Sequence, residues 1–258
     1  MSLLSATVNG IPFFQFPNFS GFPRLRHGLF TREGGVSHGP FKSLNIGLGV
    51  GDIPEQVTQN RRLVARCLSA DKLIFAKQVH GASVLTIDKD HAPGTPLTGD
   101  ALMTDSPGKF LAIQVADCQP VLLFDPVRQV AAAVHSGWRG SVQNVIGCTV
   151  SAMGDTFGCR PKDILAGIGP SLGPCCGEFV HYRRELPERF WKFKDDADRF
   201  DFWAISREQL MASGVPEKNI HTSRLCTKCR TDLFFSYRGE TVTGRFTAVI
   251  GMTGRDTT

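Results

Sequence analysis

Short segments made almost wholly of apolar residues recur along the chain, and they predict its strands. Strands that are apolar on both faces belong to sheets that are covered on both sides. The predicted strands are residues 73–79 (LIFAKQV), 110–116 (FLAIQVA), 121–124 (VLLF), 130–134 (VAAAV), 164–168 (ILAGI) and 245–252 (RFTAVIGM).

Three helices are predicted between these strands. The first follows Asp52, which suits an N-cap, and Pro54 suits its first turn. A second runs from the loop at residues 136–140 to about residue 153. The third begins with Ser206 and Gln209, which resemble a capping box, and ends at Gly214. Strand runs mixed with helices indicate an α/β or α+β sandwich, and we expect one domain over residues 1–258.

Composition and charge exclude several classes of protein. The net charge of +5 permits an anionic substrate, but the densest basic stretch, residues 224–230, is too short for a nucleic-acid surface. No apolar run approaches the roughly 18–20 residues of a membrane helix, so we expect no membrane partner. The first twenty residues lack Lys and Arg, unlike a secretory signal, so we expect a cytoplasmic protein.

Three metal-binding residue types stand at or beside predicted strand ends. His80 follows the first predicted strand, Cys118 follows the second and His135 ends the fourth. Zinc accepts imidazole nitrogen and thiolate sulfur, and a catalytic zinc keeps three protein ligands with one open position. Taken singly, each residue is more often a buried thiol or a hydrogen-bonded histidine of the core.

The chain contains eight cysteines, which without a signal peptide are expected to be free thiols. Cys226 and Cys229 form a CxxC, but a zinc-finger site needs a second pair and none is evident at a suitable spacing. Cys175 and Cys176 are adjacent, which does not favour chelation of one metal. We expect all four to be structural thiols.

Several longer motifs are specific enough to be recognised together. They are TREGGVSHGPFKSLNIG, KQVHGASV, GDALMTD, ADCQPVLLFDP, AAVHSGWRGSVQNV, AGIGPSLGPCC and FFSYR followed by TGRFTAVIG. In this order, from Thr31 to Gly251, the chain resembles the YfiH/YlmD-like family, also known as the laccase-like polyphenol oxidase or purine nucleoside phosphorylase family. The chain departs from the family's usual residues at Val115 and Gly177, which affects the expected pocket but removes no ligand.

The resemblance implies an α+β fold, an α/β/β/α layered sandwich with mixed sheets. It implies a metal site formed by His80, Cys118 and His135, with zinc favoured over copper. It also implies a purine nucleoside and phosphate as substrates, for phosphorolysis of adenosine, inosine, guanosine or methylthioadenosine and for deamination of adenosine. We expect a monomer or a small homo-oligomer.

Other residues in the matching motifs are candidates for the site. Arg139 follows His135 at the start of a predicted helix, where it would either bind an anion or cap its own turn. Asp117 would steer a ligand or act as a base, or form a plain structural hydrogen bond. The substrate-binding candidates are Asn45, Lys77, Gln78 and Arg245.

Three alternatives compete with the zinc enzyme. A copper polyphenol oxidase would need about ten histidine ligands, whereas the chain has seven histidines and no HxH pair. A cysteine hydrolase or amidase that edits cell-wall precursors would use Cys118 as its nucleophile. A metal-stabilised interaction module would need a fourth ligand, and the sequence offers no clear one.

Overall fold

The computed structural model describes residues 2–92 and 95–254. These residues form two six-stranded sheets and a small number of helices. The strands are β1 (Leu4–Val8), β2 (Ile11–Gln15), β3 (Leu25–Phe30), β4 (Leu73–Ile74), β5 (Val84–Thr86), β6 (Ala101–Thr104), β7 (Phe110–Val115), β8 (Gln119–Asp125), β9 (Val130–Ser136), β10 (Leu165–Ile168), β11 (Ile220–Thr222) and β12 (Phe246–Met252).

The α-helices are α1 (Pro54–Cys67), α2 (Trp138–Val142), α3 (Val145–Phe157), α4 (Tyr182–Glu185) and α5 (Phe202–Ala212). Short 3-10 turns occupy Pro17–Phe19, Gly39–Phe41, Pro161–Asp163, Glu188–Phe193 and Glu217–Asn219. No helix in the described ranges is long and apolar enough to cross a membrane.

The first sheet has the strand order β1-β2-β3-β12-β7-β4, and the second has the order β11-β10-β8-β9-β6-β5. Both are mixed, because β4 pairs with β7 in parallel while β12 pairs with β7 in an antiparallel way, and the second sheet combines both pairings too. The chain crosses from the first sheet to the second between β4 and β5 and again between β7 and β8.

Alternating residues of each strand explain the layers. In β8, Leu122 and Phe124 face the core between the two sheets, whereas Val121 and Leu123 face the outer core under α3 and α5. On the other side of the molecule, α1 covers the outer face of the first sheet through Val64 and its neighbours. This α/β/β/α sandwich confirms the predicted fold class.

The predicted strands agree with the structure except at the first. The strand predicted over residues 73–79 is only β4, Leu73–Ile74, because beyond it Lys77 makes a single isolated bridge to Thr98. The predicted helix from residue 136 to about 153 is two helices. Asn144, at φ +57°, separates α2 from α3 and caps α3 by accepting a hydrogen bond from the Gly147 N–H.

Two predicted helix caps are wrong. Asp52 does not cap α1, because its carboxylate accepts hydrogen bonds from the Ser37 hydroxyl and the Asn45 amide of the preceding loop. Ser206 and Gln209 lie inside α5, whose N-cap is Asp201. Gly214, at φ +89°, does follow the end of this helix as predicted.

Candidate metal centre and active site

His80, Cys118 and His135 converge at one end of the sandwich. Their ligand atoms all lie within 4.8 Å of one another, and Cys118 Sγ lies 3.9 Å from His80 Nε2. His135 belongs to β9, where it faces Pro120 of β8 across the antiparallel pair. His80 and Cys118 lie in the two segments that cross between the sheets. The structure therefore joins residues that are 38 and 17 positions apart.

Asp100, which immediately precedes β6, organises the two histidines. Its buried carboxylate contacts His135 Nδ1 at 2.8 Å, which leaves Nε2 of that ring for a ligand. The same carboxylate accepts hydrogen bonds from the backbone N–H groups of Val79, His80 and Gly81. This clamp holds His80 in the left-handed region at φ +60°. Carboxylate support of this kind orients histidine ligands of metals.

The charges at the site favour a thiolate. Burial alone would raise the pKa of Cys118, but the positive charge and hydrogen bonds of His135 and His80 outweigh burial and lower the pKa to about 6. Burial would lower the pKa of His135, but the Cys118 thiolate and the Asp100 carboxylate raise it to about 9. The thiolate is the form of cysteine that binds a metal or acts as a nucleophile.

Gly137 shows how little room surrounds the ligands. A Cβ atom at this position would lie 3.0 Å from both Cys118 Sγ and His80 Cδ2. A larger residue here would press on both ligands, so glycine lets the backbone after β9 pass close to them without displacing them. Two imidazole nitrogens and one thiolate sulfur form a donor set that can hold a transition-metal ion and leave a coordination position open.

Two cavities adjoin the ligands and share His80, Cys118 and Tyr237 in their walls. The first cavity, about 290 Å³, is also lined by Trp138, Arg139, Phe179, Phe202 and Arg238. The second cavity, about 440 Å³, is also lined by Leu48, Val50, Gln78, Gln114, His135 and Arg245. A further cavity of about 580 Å³ lies near Arg61 and Lys109 and contains none of the predicted site residues.

Arg139 and Asp117 have different surroundings. Arg139 is exposed on α2, its guanidinium lies 4.5 Å from the Trp138 ring centroid, and it forms no ion pair with any described residue. Asp117, at φ +84°, accepts hydrogen bonds from Thr227 Oγ1, Ser236 Oγ and the Arg238 N–H. Because both carboxylate oxygens of Asp117 accept hydrogen bonds, a structural role for this residue is favoured over a role as a general base.

Two of the four predicted substrate-binding residues line a cavity at the ligands, and the other two do not. Gln78 and Arg245 line the second cavity, where Gln78 also forms two hydrogen bonds to the backbone of Gln114. Asn45 is fully buried, and its Oδ1 accepts hydrogen bonds from the N–H groups of Gly47 and Arg245. Lys77 is exposed and lines neither cavity.

Sequence reasoning missed three residues of the site. Asp100 had a signal, because it belongs to the recognisable GDALMTD motif. Tyr237, within FFSYR, is 70% exposed and lines both cavities. Gln114 lines the second cavity, and its Oε1 has no hydrogen-bond partner among the described residues. No local pattern distinguishes Gln114 from other polar residues of a strand.

The cysteine prediction needs a correction. Cys175 and Cys176 lie beside Cys226 and Cys229, and the four Sγ atoms are within 4.8 Å of one another. The expectation that the CxxC has no partner pair is therefore wrong, because the adjacent pair is its partner.

The layered sandwich and the three convergent ligands define an α+β protein with a candidate metal centre. The family model described as multi-copper polyphenol oxidoreductase laccase matches residues 26–253, and the chain belongs to this family. The resemblance to YfiH and YlmD proteins is thereby confirmed by the relatives and solved structures that match the chain.

Two relatives and two structures show the extent of this similarity. The purine nucleoside phosphorylase YlmD of Geobacillus stearothermophilus is 36% identical over 244 residues, which cover 87% of this chain and 89% of that protein. The purine nucleoside phosphorylase YfiH of Escherichia coli is 36% identical over 228 residues, covering 85% and 90%.

Among solved structures, YlmD from Geobacillus stearothermophilus matches with a TM-score of 0.88 and 33% identity, over 98% of this chain and 100% of that one. The hypothetical protein YfiH of Bacillus licheniformis matches with a TM-score of 0.86 and 32% identity, over 95% and 100%.

Proposed function

We propose that the protein is a zinc-dependent purine nucleoside enzyme, which phosphorolyses adenosine, inosine, guanosine or methylthioadenosine and deaminates adenosine. The observation that carries the proposal is the position of the three ligands: His80 and Cys118 lie where two cavities meet, and His135 lines the second of these cavities. Relatives at about 36% identity that are named purine nucleoside phosphorylases support the same reaction class.

The donor set supports zinc as the metal. His80, Cys118 and His135 would hold the ion, which when bound supplies a Lewis acid at its open position. Asp100 supports this role because it fixes the ring of His135 by a hydrogen bond to Nδ1. Two histidines and one cysteine are also the ligand set of blue-copper sites, so metal analysis of the purified protein is the measurement that distinguishes zinc from copper.

The two cavities suit the two substrates of phosphorolysis. Phosphate must approach the ribose C1′ from the face opposite to the departing base, so the nucleophile and the base need separate binding regions. The exposed guanidinium of Arg139 and that of Arg238 suit phosphate in the first cavity. The second cavity offers Tyr237, which is largely exposed, as a hydrogen-bonding group for the nucleoside. His80 and Cys118 lie where the two regions meet.

A cysteine hydrolase is a second candidate, and the lowered pKa of Cys118 favours it. In this alternative the thiolate attacks a carbonyl carbon and a neighbouring histidine protonates the leaving amine. The two candidates differ in their need for metal. Chelation removes the activity of a zinc enzyme, whereas alkylation of metal-free Cys118 is what removes the activity of a cysteine hydrolase.

The decisive experiment is an assay of a nucleoside panel with and without phosphate. We expect free purine base only when phosphate is present, inosine from adenosine, and neither product after chelation or with Cys118→Ala. Readdition of zinc should restore the chelated enzyme. Cys148→Ala is the matched control, because Cys148 is an exposed cysteine of α3 outside both cavities. Metal-replete protein that releases neither base nor inosine would contradict the proposal.

A further inference from the structure

Four cysteines from two irregular segments meet away from the cavities. Cys229 Sγ lies 3.5 Å from Cys175 Sγ and 3.6 Å from Cys176 Sγ, and Cys226 completes a group whose sulfurs are all within 4.8 Å. Cys226 is buried, Cys176 is half-buried, and Cys175 and Cys229 are exposed. We propose that these four cysteines form a second metal site, a closed tetrathiolate that binds one structural Zn²⁺.

The sulfur spacing matches this ion. Zinc–sulfur bonds of about 2.3 Å in a tetrahedron place the sulfurs about 3.8 Å apart, close to the distances at Cys229. A disulfide would require one pair at about 2.05 Å and would leave the other two sulfurs aside. Cys229 is instead almost equally distant from two partners, as a common centre requires.

The backbone around Cys226 supports a thiolate ligand. The Gly173 N–H donates a hydrogen bond to Cys226 Sγ at 3.3 Å. A Cβ atom on Gly173 would lie 2.7 Å from the Trp203 ring and 3.0 Å from Cys226 Cβ, so only glycine allows this approach.

The two segments that carry the cysteines are irregular. Residues 169–181 and 223–245 contain neither a helix nor a strand, and an isolated bridge joins Ser171 to Cys226. Residues 223–245 are also held by the buried side chains of Phe234 and Phe235 and by hydrogen bonds to Asp117. A metal ion bound by all four cysteines would connect the two segments directly.

A metal at the cluster would position the wall of the candidate active site. Thr227, between the two cysteines of the CxxC, donates its hydroxyl to Asp117 Oδ1 at 2.6 Å. Asp117 adjoins Cys118, and its other oxygen accepts the Arg238 N–H. Tyr237 and Arg238 in turn line the first cavity. The cluster therefore acts on the site through Asp117, as a positioning element with no contact to substrate.

Metal analysis of a double variant tests the proposal independently of the proposed function. In His80→Ala/Cys118→Ala the three-ligand site is disabled, and we expect one zinc to remain per chain. The same protein with Cys226→Ser and Cys229→Ser added should bind none, whereas Cys148→Ser added in their place should still bind one. Absence of zinc from the double variant, or iron in its place, would overturn the proposal.

Thiol reactivity provides a second test that needs no variant. In the metal-replete protein, exposed Cys229 should react with iodoacetamide at least about tenfold more slowly than exposed Cys148, because a metal-bound thiolate is shielded. After chelation under reducing conditions the difference should disappear. Equal rates before chelation, or peptides joined by a disulfide between the two segments, would overturn the proposal.

Discussion

The molecule contains two clusters of metal-binding side chains that are built in different ways. The first, His80, Cys118 and His135, has three ligands of two chemical types and adjoins two cavities. The second consists of four cysteines on irregular segments and lines none of the described cavities around the first cluster. An open site with mixed ligands suits chemistry, whereas a closed site with four thiolates suits structure.

The hydrogen bonds around the two clusters also differ. Asp100, itself buried, fixes the first cluster by hydrogen bonds to His135 and to the backbone at His80. In the second cluster, the backbone N–H of Gly173 donates a hydrogen bond to Cys226 Sγ. In the first cluster, the buried Asp100 carboxylate holds the ligands in place before a metal ion binds. In the four-cysteine cluster, the metal ion itself would order the two segments.

The largest expected effect separates the roles of the two clusters. Cys118→Ala should lower nucleoside phosphorolysis by several orders of magnitude, because it removes a ligand of the open site. Cys229→Ser should instead lower the melting temperature while folded protein keeps most of its activity. Steady-state kinetics and thermal unfolding of both variants test this contrast, and the same pattern from both variants would contradict it.

The next effect concerns Asp100. Asp100→Asn should weaken metal affinity or activity about 10- to 100-fold, because His135 and the backbone at residues 79–81 lose their charged acceptor. Asp125→Asn is the matched control, since Asp125 is equally buried but accepts the N–H groups of Val127 and Arg128 at the far end of β8. Competition with a chromogenic chelator measures the affinity. Equal losses of metal affinity in Asp100→Asn and Asp125→Asn would show that Asp100 has no specific role in supporting the ligands.

A smaller effect tests the division between the cavities. Arg139→Ala should raise the KM for phosphate about tenfold, because a charge-assisted hydrogen bond contributes about 1.5 kcal/mol. The KM for the nucleoside should stay unchanged. Arg62→Ala, an exposed arginine of α1 on the opposite side of the sandwich, should leave both constants unchanged. A rise confined to the nucleoside KM would reverse the assignment of the cavities.

The smallest effect comes from a buried histidine outside both clusters. His27 accepts the Phe16 N–H at Nε2, and burial, which outweighs this bond, lowers its pKa to about 3. Between pH 6.5 and pH 3 the unfolded chain binds a proton that the folded chain excludes, so acidification destabilises the fold. The loss from this group at pH 5.5 is about 1.4 kcal/mol relative to neutral pH.

Urea unfolding at pH 7.5 and pH 5.5 measures this loss. In His27→Gln, whose side-chain oxygen is able to accept the same N–H, the decrease in unfolding free energy should be smaller by about that amount. An identical decrease in both proteins would show that His27 titrates normally.

The open cluster was largely predictable from sequence, and its support was not. Cys118 and His135 lie at or beside strand ends, which sheet geometry brings together, whereas His80 lies within the segment between β4 and β5. Recognisable motifs surround all three. Asp100 binds mainly to backbone N–H groups about 20 residues away, and no periodic pattern marks such contacts. The short apolar strands predicted an α/β or α+β sandwich, and the family resemblance implied its α/β/β/α layers.

The predictions for the four cysteines and for the helix caps were wrong for a related physical reason. Cys176 and Cys229 are separated by 53 positions, and their segments carry no strand or helix pattern that would predict a contact. Asp52 has the right type and place for a cap, but Ser37 and Asn45 engage its carboxylate. In both cases the structure depends on residues that are distant in sequence, and the local sequence pattern carries no information about those residues.

The crossovers between the sheets have a mechanical consequence. His80 and Cys118 lie on two segments that join one sheet to the other, whereas His135 belongs to the second sheet itself. An ion bound by all three residues would connect these two segments to the second sheet and would oppose movement of one sheet relative to the other. Loading should therefore slow amide hydrogen exchange in β7 and β8 together, far beyond the residues that touch the ion.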